Sequence, residues 1–129
     1  MEKVTGIGGI FFKSADHKAL SQWYARHLGV DLQDWGGAPF RWGEGAPDAP
    51  SGTTVWSVFS AGTKYLEPST ASFMVNYRVR DLDAMLAQLR EAGVWVDEKT
   101  MDDPDLGRFG WAMDPDGNKL ELWQPAAGK

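Results

Sequence analysis

The sequence has no cysteine and only two histidines, His17 and His27. The first absence excludes disulfides, thiolate metal centres, thiol nucleophiles and iron–sulfur clusters. The two histidines lie at opposite ends of one helical stretch. Ten residues of helix span about 15 Å, so they cannot share a metal ion. No Lys/Arg block is present and the net charge is −5, so nucleic-acid binding has no electrostatic basis. No apolar run approaches the roughly 18–20 residues of a membrane span. The start, Met1-Glu2-Lys3-Val4, lacks the charged-then-apolar build of a signal peptide, and a cytoplasmic setting is the expectation. Three further motifs are missing. Gly6-Ile7-Gly8-Gly9 has no third glycine of a dinucleotide loop, and neither His-Glu-x-x-His nor Gly-x-Ser-x-Gly occurs. Asp102, Asp103 and Asp105 lack the distal Glu and glycine turn of a calcium loop and read as a solvated acidic loop.

What is present is a chain of 129 residues, 43% hydrophobic, enough for one domain with its own core. It carries seven tryptophans: Trp23, Trp35, Trp42, Trp56, Trp95, Trp111 and Trp123. Indole rings serve cores and surfaces, but they also line ligand cavities.

The pattern along the chain runs twice through the same order. Residues 5–14 read as a strand. Asp16 can cap a helix whose apolar face is Leu20, Trp23, Tyr24 and Leu28, and Gly29 stops it. Short strands are expected at 30–35 and 39–42, a loop at 43–52, and a β-branched, aromatic strand at 53–60. After a polar connection at 64–70, the order restarts. Phe73, Val75, Tyr77 and Val79 alternate with Met74, Asn76, Arg78 and Arg80 as a strand with two faces. Asp81 caps a helix with the stripe Leu82, Met85, Leu86 and Leu89, ended by Gly93. A short strand at 94–97, an acidic loop at 101–106, and strands at 107–113 and 118–123 follow, the last two joined by the turn Asp114-Pro115-Asp116-Gly117. The spacing predicts an α+β domain of two βαβββ modules, one over about 4–66 and one over about 71–125, forming a curled, funnel-like mixed sheet with helices outside.

Three stretches also carry a resemblance. They are Gly6-Ile7-Gly8-Gly9-Ile10-Phe11-Phe12-Lys13-Ser14-Ala15-Asp16 with its helix, Phe73 to Asp83 with its helix, and Gly107 to Trp123 with its Asp-Pro-Asp-Gly-Asn turn. Together they resemble the vicinal oxygen chelate superfamily of glyoxalases, bleomycin resistance proteins and extradiol dioxygenases, and best its small bacterial glyoxalase-like members. The resemblance implies a funnel that binds a small molecule, and commonly a homodimer.

It also implies metal ligands, His or Glu, on the first and last strands of each module. Here those positions fall on Gly9, Trp56, Met74 and Glu121, and only Glu121 can hold a hard divalent ion. No metal and no other cofactor is therefore expected. Strand alternation from these four residues places Phe11, Lys13, Thr54, Val58, Asn76, Arg78, Lys119 and Trp123 inside the funnel. The expected ligand contacts are Phe11, Lys13, Trp56, Met74, Asn76, Arg78 and Trp123. Arg78 or Lys119 is the expected partner of Glu121, and Arg41 and Arg108 sit beside aromatics, as a cation–π pair or at the surface.

Three functions follow from this set. One is a metal-free protein of the bleomycin-resistance type that binds a planar or partly apolar molecule, its acidic charge attracting cations. A second is a metal-dependent lyase, isomerase or dioxygenase of the glyoxalase type. The third is a metal-free enzyme with Glu121 as catalytic general base.

Overall fold

The computed structural model describes residues 1–43 and 51–129. Most of the loop expected at 43–52 lies outside the described residues. Strand β1 (Val4–Ser14) leads to helix α1 (His17–Leu28), and then to β2 (Ala38–Arg41) and β3 (Thr53–Ser60). The second half has β4 (Phe73–Val79), α2 (Leu82–Glu91), β5 (Met101–Asp103), β6 (Gly107–Met113) and β7 (Lys119–Pro125). All seven strands form one sheet, ordered β2-β3-β1-β4-β7-β6-β5. The repeat is visible in the pairing. β1 and β3 are parallel, as are β4 and β7, and the halves join through the antiparallel pair β1–β4.

The helix starts come from the two aspartates. Asp16 Oδ1 accepts from the Ala19 N–H at 3.1 Å, and Asp81 Oδ1 accepts from the Ala84 N–H at 3.0 Å. Each satisfies a donor that the first helical turn leaves free. Gly29 ends α1 with φ of 69°, a left-handed cap that a side chain would oppose.

The sheet has two unlike faces. Val79 and Leu122 pack on its outer face with Leu82, Met85 and Leu86 of α2. Gly110 allows this approach, since a Cβ there would lie 3.1 Å from the Leu86 methyls. On the inner face, Phe11, Met74, Phe109, Trp111 and Trp123 form a second core with Leu66. Burying a side chain of this size contributes about 1.5–3 kcal/mol.

Three local expectations are corrected. Residues 30–35 are irregular and end in a turn at 34–35 rather than forming a strand, because the Gly36 N–H bonds back to Gln33 O and the Gln33 N–H to Gly37 O. Residues 94–97 keep only the bridge Val96–Ala112. The acidic loop begins instead as strand β5, paired with β6 through Met101–Phe109.

Candidate functional site

Glu121 lies on β7, where alternation turns Lys119, Glu121 and Trp123 to the inner face. It is 2% exposed. An ionised carboxylate at such a depth costs several kcal/mol unless donors replace its water. Three do. Asn76 Nδ2 donates to Oε1 at 2.6 Å, and Trp111 Nε1 donates to Oε2 at 2.9 Å. The Tyr65 hydroxyl also donates to Oε2. Two of these donors are neighbours by register, for Asn76 pairs with Glu121 across β4–β7 and Trp111 pairs with it across β6–β7. The third arrives from the connector of residues 61–72. That segment folds over the inner face, plants Leu66 in the core at 0% exposure and brings Tyr65 above Glu121. Burial, then the Glu121 charge, push the Tyr65 phenol well above its usual range, so it stays a donor.

The expected partners of Glu121 are corrected by these bonds. Lys119 Nζ donates instead to Tyr65 O at 2.6 Å, pinning the connector, and burial lowers its pKa. Arg78 points to the far end of β4, where its guanidinium lies between the Trp42 and Trp123 rings, 4.9 and 5.0 Å from their centroids. Arg108 pairs at the surface with Asp83 and Asp102.

Trp56 is also corrected. In the β1–β3 register Phe11 aligns with Ser57 and Gly9 with Val55, so the inward residues of β3 are Val55, Ser57 and Phe59. Trp56 faces outward, its ring 5.7 Å from Phe12 and 5.1 Å from Tyr24 of α1. Counting from Gly52 misplaces the face by one residue. Thr54 and Val58 share its side of β3, opposite to the inward placement expected of them.

Phe11, Met74, Asn76 and Trp123 are brought together on the inner face, each less than a tenth exposed. Lys13 shares the Phe11 side of β1, half-buried, opposite Phe59 in register. Gly8 and Gly9 leave room that neighbours fill. A Cβ on Gly9 would lie 2.6 Å from the Phe11 ring, and one on Gly8 would lie 2.2 Å from Asn76 Oδ1.

A divalent ion does not fit this arrangement. Gly9 has no side chain, Val55, Ser57 and Met74 supply no imidazole or carboxylate, and the oxygens of Glu121 face three donors. Among the described residues no three His, Asp or Glu side chains come together.

The open space lies beside this core. A cleft of about 610 Å³ is lined by His17, Trp35, Ser57, Phe59, Thr63 and Tyr65, among others. Strand β2 pairs only with residues 53–56 of β3, so the outer half of β3 is left as an edge that forms one wall. Trp35 is 57% exposed there, and Tyr65 links the cleft to Glu121. His17, Trp35 and Tyr65 were not among the expected ligand contacts.

A family model described as the Glyoxalase/Bleomycin resistance protein/Dioxygenase superfamily matches residues 7–122. No curated protein matches the chain. Among solved structures, methylmalonyl-CoA epimerase from Mycobacterium tuberculosis is 26% identical, over 95% of this chain and 89% of that one, with a TM-score of 0.62. A variant of the Streptomyces coelicolor methylmalonyl-CoA epimerase, in complex with 2-nitronate-propionyl-CoA, is 19% identical over 97% and 100%, with a TM-score of 0.66. BphC, a halotolerant catechol dioxygenase, is 15% identical over 95% of this chain and 40% of that one, at 0.59.

Proposed function

The chain belongs to the glyoxalase/bleomycin resistance protein/dioxygenase superfamily, and we propose that within it this member binds a small planar molecule without a divalent ion. The observation that carries this reading is the state of Glu121. Its oxygens are engaged by Tyr65, Asn76 and Trp111, and the matching inward positions offer no strong ligating atom. A ligand at this face meets rings and hydroxyls rather than a metal.

The seat we assign is the cleft between Trp35, Phe59 and Tyr65. Flat aromatic walls with Ser57, Thr63 and His17 at their margin suit a planar body bearing one or two polar groups. Glu121 and Trp111 support its floor by holding Tyr65, with Asn76 bonded to Glu121 and Phe11 stacked on Phe59, and Lys13 lies at its side of the sheet. Binding is favoured over proton abstraction, because Glu121 is 2% exposed and its oxygens already accept from three donors. The resistance or sequestration role is the member of the family's range that needs only this.

A homodimer is part of the same proposal. Ile7, Ile10 and Phe73 lie on the outer face along the β1–β4 seam, 40%, 37% and 44% exposed. An apolar strip of this kind suits a twofold contact, and light scattering at tens of micromolar checks it.

The test of binding uses 2-naphthol, a neutral planar probe, and tryptophan fluorescence in buffer containing EDTA. One-site saturable quenching is expected, lost in Trp35→Ala. Binding that needs an added divalent ion, or that is unchanged in Trp35→Ala, overturns the reading.

A further inference from the structure

The aromatic cleft does not end at Trp35. A second cavity, of about 470 Å³, adjoins it at the first turns of α1. His17, Trp35, Ser57 and Val58 line both. The two β3 residues among these lie just past the reach of β2, where the strand edge is open.

The two cavities differ in chemistry. The first is walled by the rings of Trp35, Phe59 and Tyr65. The second has Lys18, Ser21, Gln22, Gln33 and Asp34 around it. Its two charged groups, Lys18 and Asp34, are of opposite sign, and among the described residues neither is in an ion pair. The other three are hydroxyl and carboxamide groups, which donate and accept at once. Ser21 directs its proton to His17 O at 2.7 Å, and Gln33 gives one of its two to Asp31 O at 2.9 Å. The side-chain oxygen of each is left to accept. Ser57 stands where the cavities meet. It is 9% exposed, yet among the described residues its hydroxyl has no hydrogen-bond partner. A hydroxyl at that depth is costly to leave unmatched, and a bound molecule can match it.

We propose that the two cavities form one seat, for a planar aromatic ring that carries a neutral polyol, as an aryl glycoside does. This rests on the aromatic seat assigned above and names what is attached to its ligand. The ring lies against Trp35, Phe59 and Tyr65, and the polyol enters the second cavity. Every hydroxyl of a polyol donates and accepts, as Gln22 and Gln33 do, and the two oxygens of Asp34 can take two neighbouring hydroxyls together. The Ser57 hydroxyl donates to the oxygen that links the two parts, since the link passes between the cavities. An anion in the second cavity would meet Asp34 and a cation would meet Lys18, so a neutral group fits best.

Calorimetric titration of the full chain in buffer containing EDTA tests this, with 2-naphthol, 2-naphthyl β-D-glucoside and 2-naphthyl phosphate. The glucoside should bind about tenfold more tightly than 2-naphthol, the gain from one or two added neutral hydrogen bonds. Gln22→Ala combined with Asp34→Ala, both at exposed positions, should abolish that gain and leave the affinity for 2-naphthol as it is. A glucoside that binds no more tightly than 2-naphthol overturns the polyol site and leaves the aromatic seat standing. So does a gain that survives the double substitution. A phosphate that gains as much as the glucoside overturns the choice of a neutral group. Saturable binding of none of the three overturns the aromatic seat, and this inference with it.

Discussion

The hydroxyl of Tyr65, in the connector between the two halves, donates to the buried carboxylate of Glu121 on the last strand. That bond joins the segment between the modules to the inner face that both modules build. The connector is also held there by Lys119 and by the burial of Leu66, so three side chains decide how the inner face is closed.

Glu121→Gln should therefore act on stability. A carboxylate accepts from all three donors, but a glutamine turns an NH2 toward one or two of them. Leaving such buried groups unmatched costs about 2–3 kcal/mol. Tyr65→Phe removes one donor and should cost about 1–3 kcal/mol on the same basis. Urea midpoints check both. A Glu121→Gln midpoint equal to that of the native chain would mean that the three bonds are not maintained in solution.

Trp35 and Trp56 should separate ligand binding from folding. Trp56 is half-buried against Phe12 and Tyr24, and Trp56→Ala should cost about 2–4 kcal/mol. Trp35 is mostly exposed, and Trp35→Ala should change stability by no more than about 0.5 kcal/mol. Thermal melts paired with the 2-naphthol titration check the contrast. Trp35→Ala is expected to lose the ligand and keep its melting temperature.

Gly8→Ala should be far worse tolerated than Gly62→Ala. The added methyl at Gly8 would lie 2.2 Å from Asn76 Oδ1 and 2.9 Å from the Trp123 ring. Asn76 cannot easily yield, because its amide is tied to Glu121. Overpacking of this kind costs about 1–3 kcal/mol. At Gly62 the nearest atom is Ser60 Oγ at 3.9 Å, and little change is expected in a denaturation curve.

Acid should release the turn between β6 and β7. Asp114 accepts from the Asn118 N–H at 2.9 Å, from the Asn118 side chain at 3.0 Å and from the Asp116 N–H at 3.0 Å. The Asn118 main-chain bond first, then its side-chain amide, hold the Asp114 pKa below the ordinary 3.8. The folded value lies below the unfolded one. The stabilisation is therefore complete above about pH 4 and lost as pH falls through the lowered value. The gap in melting temperature between the native chain and Asp114→Ala should be constant near neutrality and close below pH 4. A gap that persists there would contradict the linkage.

Much of this fold is legible in the sequence because its signals are local. Asp16 and Asp81 mark helix starts through bonds three residues away, and the alternation of β4 sorts Met74, Asn76 and Arg78 from Val75, Tyr77 and Val79. The inner position of Glu121 follows from the same period. What escapes is set by contacts between distant segments. In Thr53–Ser60 apolar and polar residues do not alternate, so only the register with β1 decides that Val55, Ser57 and Phe59 face inward. The path of the connector has no period at all, and its one sequence signal is the apolar pair Tyr65-Leu66 inside a polar stretch. Without that path neither the donor to Glu121 nor the cleft beside Trp35 can be placed.

Engaged by its three protein donors, Glu121 should hold no metal ion. Calorimetric titration of EDTA-treated protein with Zn²⁺, Ni²⁺ and Mn²⁺ tests it most directly. No ion should bind at one equivalent per chain, in the native protein or in Glu121→Gln. One equivalent bound by the native chain and lost in Glu121→Gln would contradict it.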